Sequence, residues 1–68
     1  MAPNEADKAH KQFIGYMRRL SVSGLTYAEI AAALGVSERS IYKWVARERK
    51  VSSVLLIAMA RVVEDQGA

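Results

Sequence analysis

Between Arg39 and Lys50 the chain places Arg39, Lys43, Arg47, Arg49 and Lys50 against Glu48 alone, with Tyr42 and Trp44 among them. Guanidinium and ammonium groups at this density suit a polyanionic partner. No comparable set exists for bond-making chemistry. His10 is the only histidine and there is no cysteine, so neither a thiolate site nor a histidine cluster at metal-ligand spacing can form. Ser37 has no general base beside it in sequence and reads as a helix cap, not a nucleophile. The expected chemistry is therefore recognition: no enzyme activity, no metal and no cofactor. Taken alone, Arg39 and Lys43 at i, i+4 also fit an ordinary solvated helix face. The elements that carry them decide between the two readings.

Those elements are sharply marked. Thr26-Tyr27-Ala28-Glu29 is a T-x-x-E capping box, with Leu25 before the cap and Ile30 in the fourth helical position as its hydrophobic staple. Ala31, Ala32 and Ala33 favour helix and keep its surface thin. Leu34-Gly35 stops it, Val36 forms a short apolar bridge, and Ser37 caps the next helix. In that helix Ile41, Trp44 and Val45 make one apolar stripe, while Glu38, Arg39, Tyr42, Lys43, Ala46 and Arg47 cover the other face. Two short helices joined by a glycine-containing turn are the helix-turn-helix. The spacing supplies each of its requirements: a small residue at the crossing (Ala31), a residue tolerant of positive φ (Gly35), and apolar residues closing the corner and facing back (Val36, Ile41, Trp44). The motif is placed at residues 26–47.

Around it the pattern stays helical. Pro3 and its neighbours make Met1–Asn4 a loose start. From about Glu5 to Leu20, Phe13, Met17 and Leu20 recur at helical spacing, widened by Ile14 and Tyr16. Gly15 weakens this helix, and close approach of another helix would explain it. Ser21–Gly24 ends it. Arg47–Lys50 forms a basic turn, and Ser52 or Ser53 caps a last helix running to about Asp65, at residues 52–65. That helix carries apolar residues on nearly every side, a composition expected of a helix buried all round. One side is expected to pack on the domain and the other on a second subunit, with Leu55, Leu56, Ile57, Met59 and Val63 at the seam. The whole is expected to be all-α: one domain over residues 1–68, a compact bundle of four to five helices containing a helix-turn-helix.

The run from Thr26 to Trp44 resembles the core of small phage and bacterial helix-turn-helix regulators of the lambda-repressor (Xre/Cro-like) type. The continuation from Arg47 to Val51 into an apolar helix resembles the same group, including small regulators that accompany anti-CRISPR genes. Resolvases and transposases carry a similar Leu-Gly-Val-Ser turn. Glu38 departs from the pattern, standing where a glutamine is common. The resemblance implies that the second helix of the motif lies in the major groove with its N-terminal side chains at base edges. Here these are Glu38, Arg39, Tyr42 and Lys43, the set that the helical wheel also turns outward.

Individual roles follow from side-chain chemistry. Arg39 can donate twice to O6 and N7 of guanine, Lys43 can reach a guanine or a phosphate, and Tyr42 a thymine methyl or a phosphate. Glu38 can accept from cytosine N4 or orient Arg39. Thr26, Tyr27 and Ser37 stand at helix N-termini suited to phosphate. Arg47, Arg49 and Lys50 are expected to clamp phosphates, positioning the protein without reading sequence. Trp44 and the methionines Met17 and Met59 are assigned to the core.

Length and composition fit this reading. With 68 residues, 51% of them hydrophobic, the chain suffices for one small core. The formal charge is +3 and the isoelectric point about 9.6. Met1–His10 lacks the apolar stretch of a secretory signal, and Val54–Ala60 is too short to span a bilayer. The expectation is a cytoplasmic protein of a bacterial or phage-infected cell, with double-stranded DNA as partner, a homodimeric state, no membrane association and no evident small-molecule effector. A repressor on an inverted repeat is the first reading. The DNA-targeting module of a recombinase, transposase or terminase is the second, although Met1 and a closing polar tail favour a chain that stands alone. A protein-interaction module built on the same fold is the third.

Overall fold

The computed structural model describes residues 5–67; the loose start expected at Met1–Asn4 lies outside them. Among the described residues there are four helices and no strand: α1 Glu5–Val22, α2 Tyr27–Leu34, α3 Glu38–Val45 and α4 Ser53–Asp65. α1 packs mainly on α4 and α2 on α3, with further contacts of α2 with α4 and of α1 with α3.

The helical periodicity determines what is buried. Phe13, Met17 and Leu20 of α1, at i, i+4 and i+7, are buried and meet Ile30 and Ala31 of α2, Ile41 and Trp44 of α3, and Leu55, Met59, Val62 and Val63 of α4. Phe13 sets the edge of its ring against Trp44, 6.1 Å between centroids, a geometry that aromatic quadrupoles favour. No polar or charged residue is buried among the described ones. The core is one continuous apolar cluster, and emptying any of its large side chains costs about 2–5 kcal/mol, a heavy loss for so small a domain.

Two expectations are corrected. Gly15 does not admit a neighbouring helix: it is exposed, and a Cβ there would meet no neighbouring heavy atom within 4 Å. It lies away from the buried stripe of its own helix. Nor does the single chain by itself bury the last helix all round. Its inward stripe is Leu55, Met59, Val62 and Val63, so Leu55, Met59 and Val63, expected at a subunit seam, belong to the chain's own core. Of that expected seam, Leu56 is half-buried and Ile57 remains exposed, as does Val54 beside it.

The helix ends are built alike. The residue after each helix takes, directly or one or two places on, a left-handed conformation: Gly24 (φ 101°), Gly35 (φ 76°), Arg47 (φ 63°) and Gly67 (φ 69°). At the first three ends the amide that follows reaches back across the last turn, as Leu25 N–H to the Leu20 carbonyl, Val36 N–H to Ala31 and Glu48 N–H to Lys43. These are Schellman closures, which satisfy otherwise orphaned carbonyls. α1 runs two residues past Leu20 before Gly24 stops it.

Candidate nucleic-acid interface

The motif helices are fixed by local hydrogen bonds. At α2 the capping box is complete: Glu29 N–H donates to Thr26 Oγ1 (3.2 Å), and Thr26 N–H donates to Glu29 Oε1 (3.0 Å). The backbone donor first, and the Thr26 side chain second, hold the Glu29 carboxyl below its usual range. A phosphate arriving at this end of α2 would meet that carboxylate as well as the helix amides. At α3, Ser40 N–H donates to Ser37 Oγ (3.2 Å), and the two hydroxyls are 3.0 Å apart. Between the helices Gly35 turns the chain, with its N–H on the Ala32 carbonyl and Val36 N–H on Ala31. Ile41 and Trp44 then lock α3 onto the core.

With those two side chains inward, the opposite face of α3 is set. Glu38, Arg39, Tyr42 and Ala46 are exposed and Lys43 is half-buried. The four side chains expected to meet base edges therefore share one outward surface. Tyr42, 54% exposed, is not isolated: its ring lies 5.2 Å from that of Tyr27 at the start of α2. Tyr27 thus braces the outward face from one side, a contact that its expected phosphate role did not foresee.

The flanking cations occupy the other side. Arg49 folds back along α3, donating from Nη1 to Ser40 Oγ (3.1 Å) and setting its guanidinium 5.7 Å from the centre of the Trp44 ring. Hydroxyl and ring together pre-orient it. Arg47 donates from Nη1 to Asp7 Oδ1 of α1 at 3.3 Å. Lys50 is exposed. Sequence reasoning missed Ser40, Asp7 and Tyr27's bracing role. Ser40 had a usable signal, falling three residues after its cap on the Trp44 side of the helix; Asp7, forty positions from Arg47, had none.

Two short helices locked at a glycine turn, the second turning arginine, lysine and tyrosine outward beside basic flanks, make this a helix-turn-helix DNA-binding domain. A major groove admits a helix of this width, and its base edges present the acceptors that such side chains need. The chain belongs to the homeodomain-like domain family, whose model matches residues 3–53, from α1 through α3 to the first residue of α4. No curated protein and no solved structure matches it. No helix among the described residues is long and apolar enough to cross a membrane. They hold no group of three or more histidine, cysteine, aspartate or glutamate residues placed to bind a metal ion.

Proposed function

We propose that this chain is a sequence-specific transcriptional repressor, which inserts α3 into the major groove of double-stranded DNA and acts as a homodimer on an inverted repeat. The observation that carries the reading is the outward face of α3, where Arg39, Tyr42 and Lys43 stand together on a helix held by Ile41 and Trp44. Arg39 reads guanine through O6 and N7. Lys43 and Tyr42 extend the contact by one turn, and Glu38 accepts from cytosine N4 or orients Arg39. Thr26, Tyr27 and Ser37 on one side, and Arg47, Arg49 and Lys50 on the other, hold backbone phosphates and set the register. Catalysis has no part in this reading, and the site of action is inside the cell, where the DNA is.

The dimer half of the proposal draws on α4. Ile57 (62% exposed) and Val54 (74%) are large apolar side chains left on its outer surface, and Leu56 flanks them half-buried. Pairing two chains through this surface would present two recognition helices to half-sites about 34 Å apart. Occupancy of such a site blocks polymerase without any further domain. The kinship is held at the homeodomain-like level, so base preferences of lambda-repressor-type regulators are not transferred to Glu38 or Arg39.

Selection of sites from a random duplex pool at about 150 mM salt, with light scattering on the selected complex, tests this directly. A two-fold symmetric sequence bound by two chains is the expected result. A single half-site bound by one chain would favour the targeting module of a recombinase, transposase or terminase. Failure to enrich any sequence would sink the DNA reading and leave a protein-interaction module.

A further inference from the structure

Arg47 stands in a conformation that L residues with a Cβ avoid. The left-handed residues that follow α1, α2 and α4 are all glycine, and only the end of α3 keeps a long cationic side chain there. Its ion pair with Asp7 does not account for this, because the two side chains are 61% and 48% exposed and such pairs contribute little. Strain of this kind, held at one residue, points to a role for its side chain. A second observation lies beside it. His10 Nε2 is the one buried side-chain nitrogen or oxygen without a hydrogen-bond partner among the described residues. A polar atom cut off from water in this way is costly, and a turn of the ring that brings it to a bound ligand would satisfy it.

Both residues line the same cleft, between the start of α1 and the α3–α4 turn, together with Asp7, Arg49, Lys50 and Val51. Its volume of about 210 Å³ is below that of sites for drug-sized organic ligands and suits one small anion. The lining residues bring three cations, one histidine and one carboxylate, with the histidine's Nε2 itself shut off from the cleft. We propose that this cleft seats a single DNA backbone phosphate, with His10 as an added donor and Asp7 as a built-in competitor. In the free protein the Asp7 carboxylate holds the Arg47 guanidinium. When DNA docks, that hydrogen bond passes to a phosphate oxygen, and the His10 ring turns into the cleft so that Nε2–H gains the acceptor it lacks. The effect is to lower affinity for every sequence alike, so that binding depends more heavily on the base contacts of α3. The inference rests on the DNA reading above but concerns residues outside the recognition face.

The test uses the full chain and measures affinity for the selected site and for a random duplex. Asp7→Asn is expected to tighten both by about threefold to tenfold. His10→Ala is expected to weaken both by about tenfold, and His10→Gln, which returns an N–H donor, to recover most of that loss. Unchanged or weaker binding by Asp7→Asn, or a His10→Ala variant that matches the parent, overturns the proposal. A second measurement follows the His10 ring and Arg47 side-chain resonances while inorganic pyrophosphate is added. Saturable shifts of both groups in the parent, with the Arg47 shift lost in His10→Ala, support the anion seat even if neither duplex binds. Such shifts with DNA affinities untouched by either variant would assign the cleft to a free phosphate and overturn the backbone assignment. No shift, with no change in DNA affinity, removes the site altogether.

Discussion

Replacing Arg47 with glycine separates what this residue does for the fold from what it does for binding. The left-handed backbone at φ 63° costs a residue with a Cβ about 1–2 kcal/mol, which glycine recovers. Against this, glycine gives back roughly 0.5–1 kcal/mol through the greater freedom of the unfolded chain. The lost ion pair with Asp7 is exposed on both partners, so its contribution is about 0–1 kcal/mol. The three nearly cancel, and the stability of Arg47→Gly is expected to stay within about 1 kcal/mol of the parent. DNA binding is expected to behave differently. One phosphate contact disappears, so log K against log salt should flatten by about 0.9. Affinity should fall by about tenfold on selected and random duplexes alike. Urea unfolding and anisotropy titrations at several salt concentrations give both numbers on the same samples. A destabilisation of several kcal/mol would show that the side chain is structural, and an unchanged salt slope would show that it never touches the backbone.

Four further outcomes follow from particular residues. Gly15→Ala puts a methyl group into open space on α1 and should stabilise the domain by about 1 kcal/mol, raising Tm by about 4–8 °C; a lower Tm in calorimetry would mean that the position needs glycine after all. The capping box makes α2 sensitive to acid: because the Glu29 carboxyl titrates below its usual range in the folded chain, its contribution is full above that range. The contribution is lost as pH falls through the lowered folded value. Glu29→Gln keeps the box and should flatten this part of the acid-unfolding curve; identical curves for the two proteins would refute the assignment. Ile57→Glu should leave folding intact, since the side chain is exposed, yet yield monomers by sedimentation on a two-fold site, whereas an unchanged sedimentation profile would remove α4 from the seam. Arg39→Ala should relax preference at one base pair by about 1–3 kcal/mol, and a uniform loss across all sequences would make Arg39 a clamp instead of a reader.

The parts of this molecule that were legible in the sequence are those whose causes are local. The capping box at Thr26, the cap at Ser37 and the stop at Gly35 each join residues three to five apart. Residue type and spacing therefore determine them almost completely. The inward stripe Ile41–Trp44 is likewise a matter of helical phase, and the outward set Glu38, Arg39, Tyr42 and Lys43 follows from it by geometry alone. α4 was harder for a physical reason. Apolar composition says that a helix is partly buried, but exposed apolar atoms are common on folded surfaces, so composition cannot say how many sides are covered. Only the packing against α1 and α2 separates Met59, fully buried, from Ile57, two residues earlier and facing out. Gly15 illustrates the same limit in reverse, since the same residue type serves a close approach or nothing at all.

The flanking cations mark where local reasoning ends. Arg47, Arg49 and Lys50 look equivalent as a basic run, yet the fold gives each a different surrounding. Arg49 is braced by Ser40 and Trp44, Arg47 is held by Asp7 in a left-handed turn, and Lys50 is exposed. A pre-oriented guanidinium loses less freedom on meeting a phosphate than an unrestrained ammonium does. A guanidinium that must first leave a carboxylate gains less. Three charges of one sign would thus enter the proposed DNA binding on unequal terms, set by contacts that span nine and forty positions of sequence. In the proposed complex, that inequality would adjust total affinity without altering the face of α3 proposed to read bases.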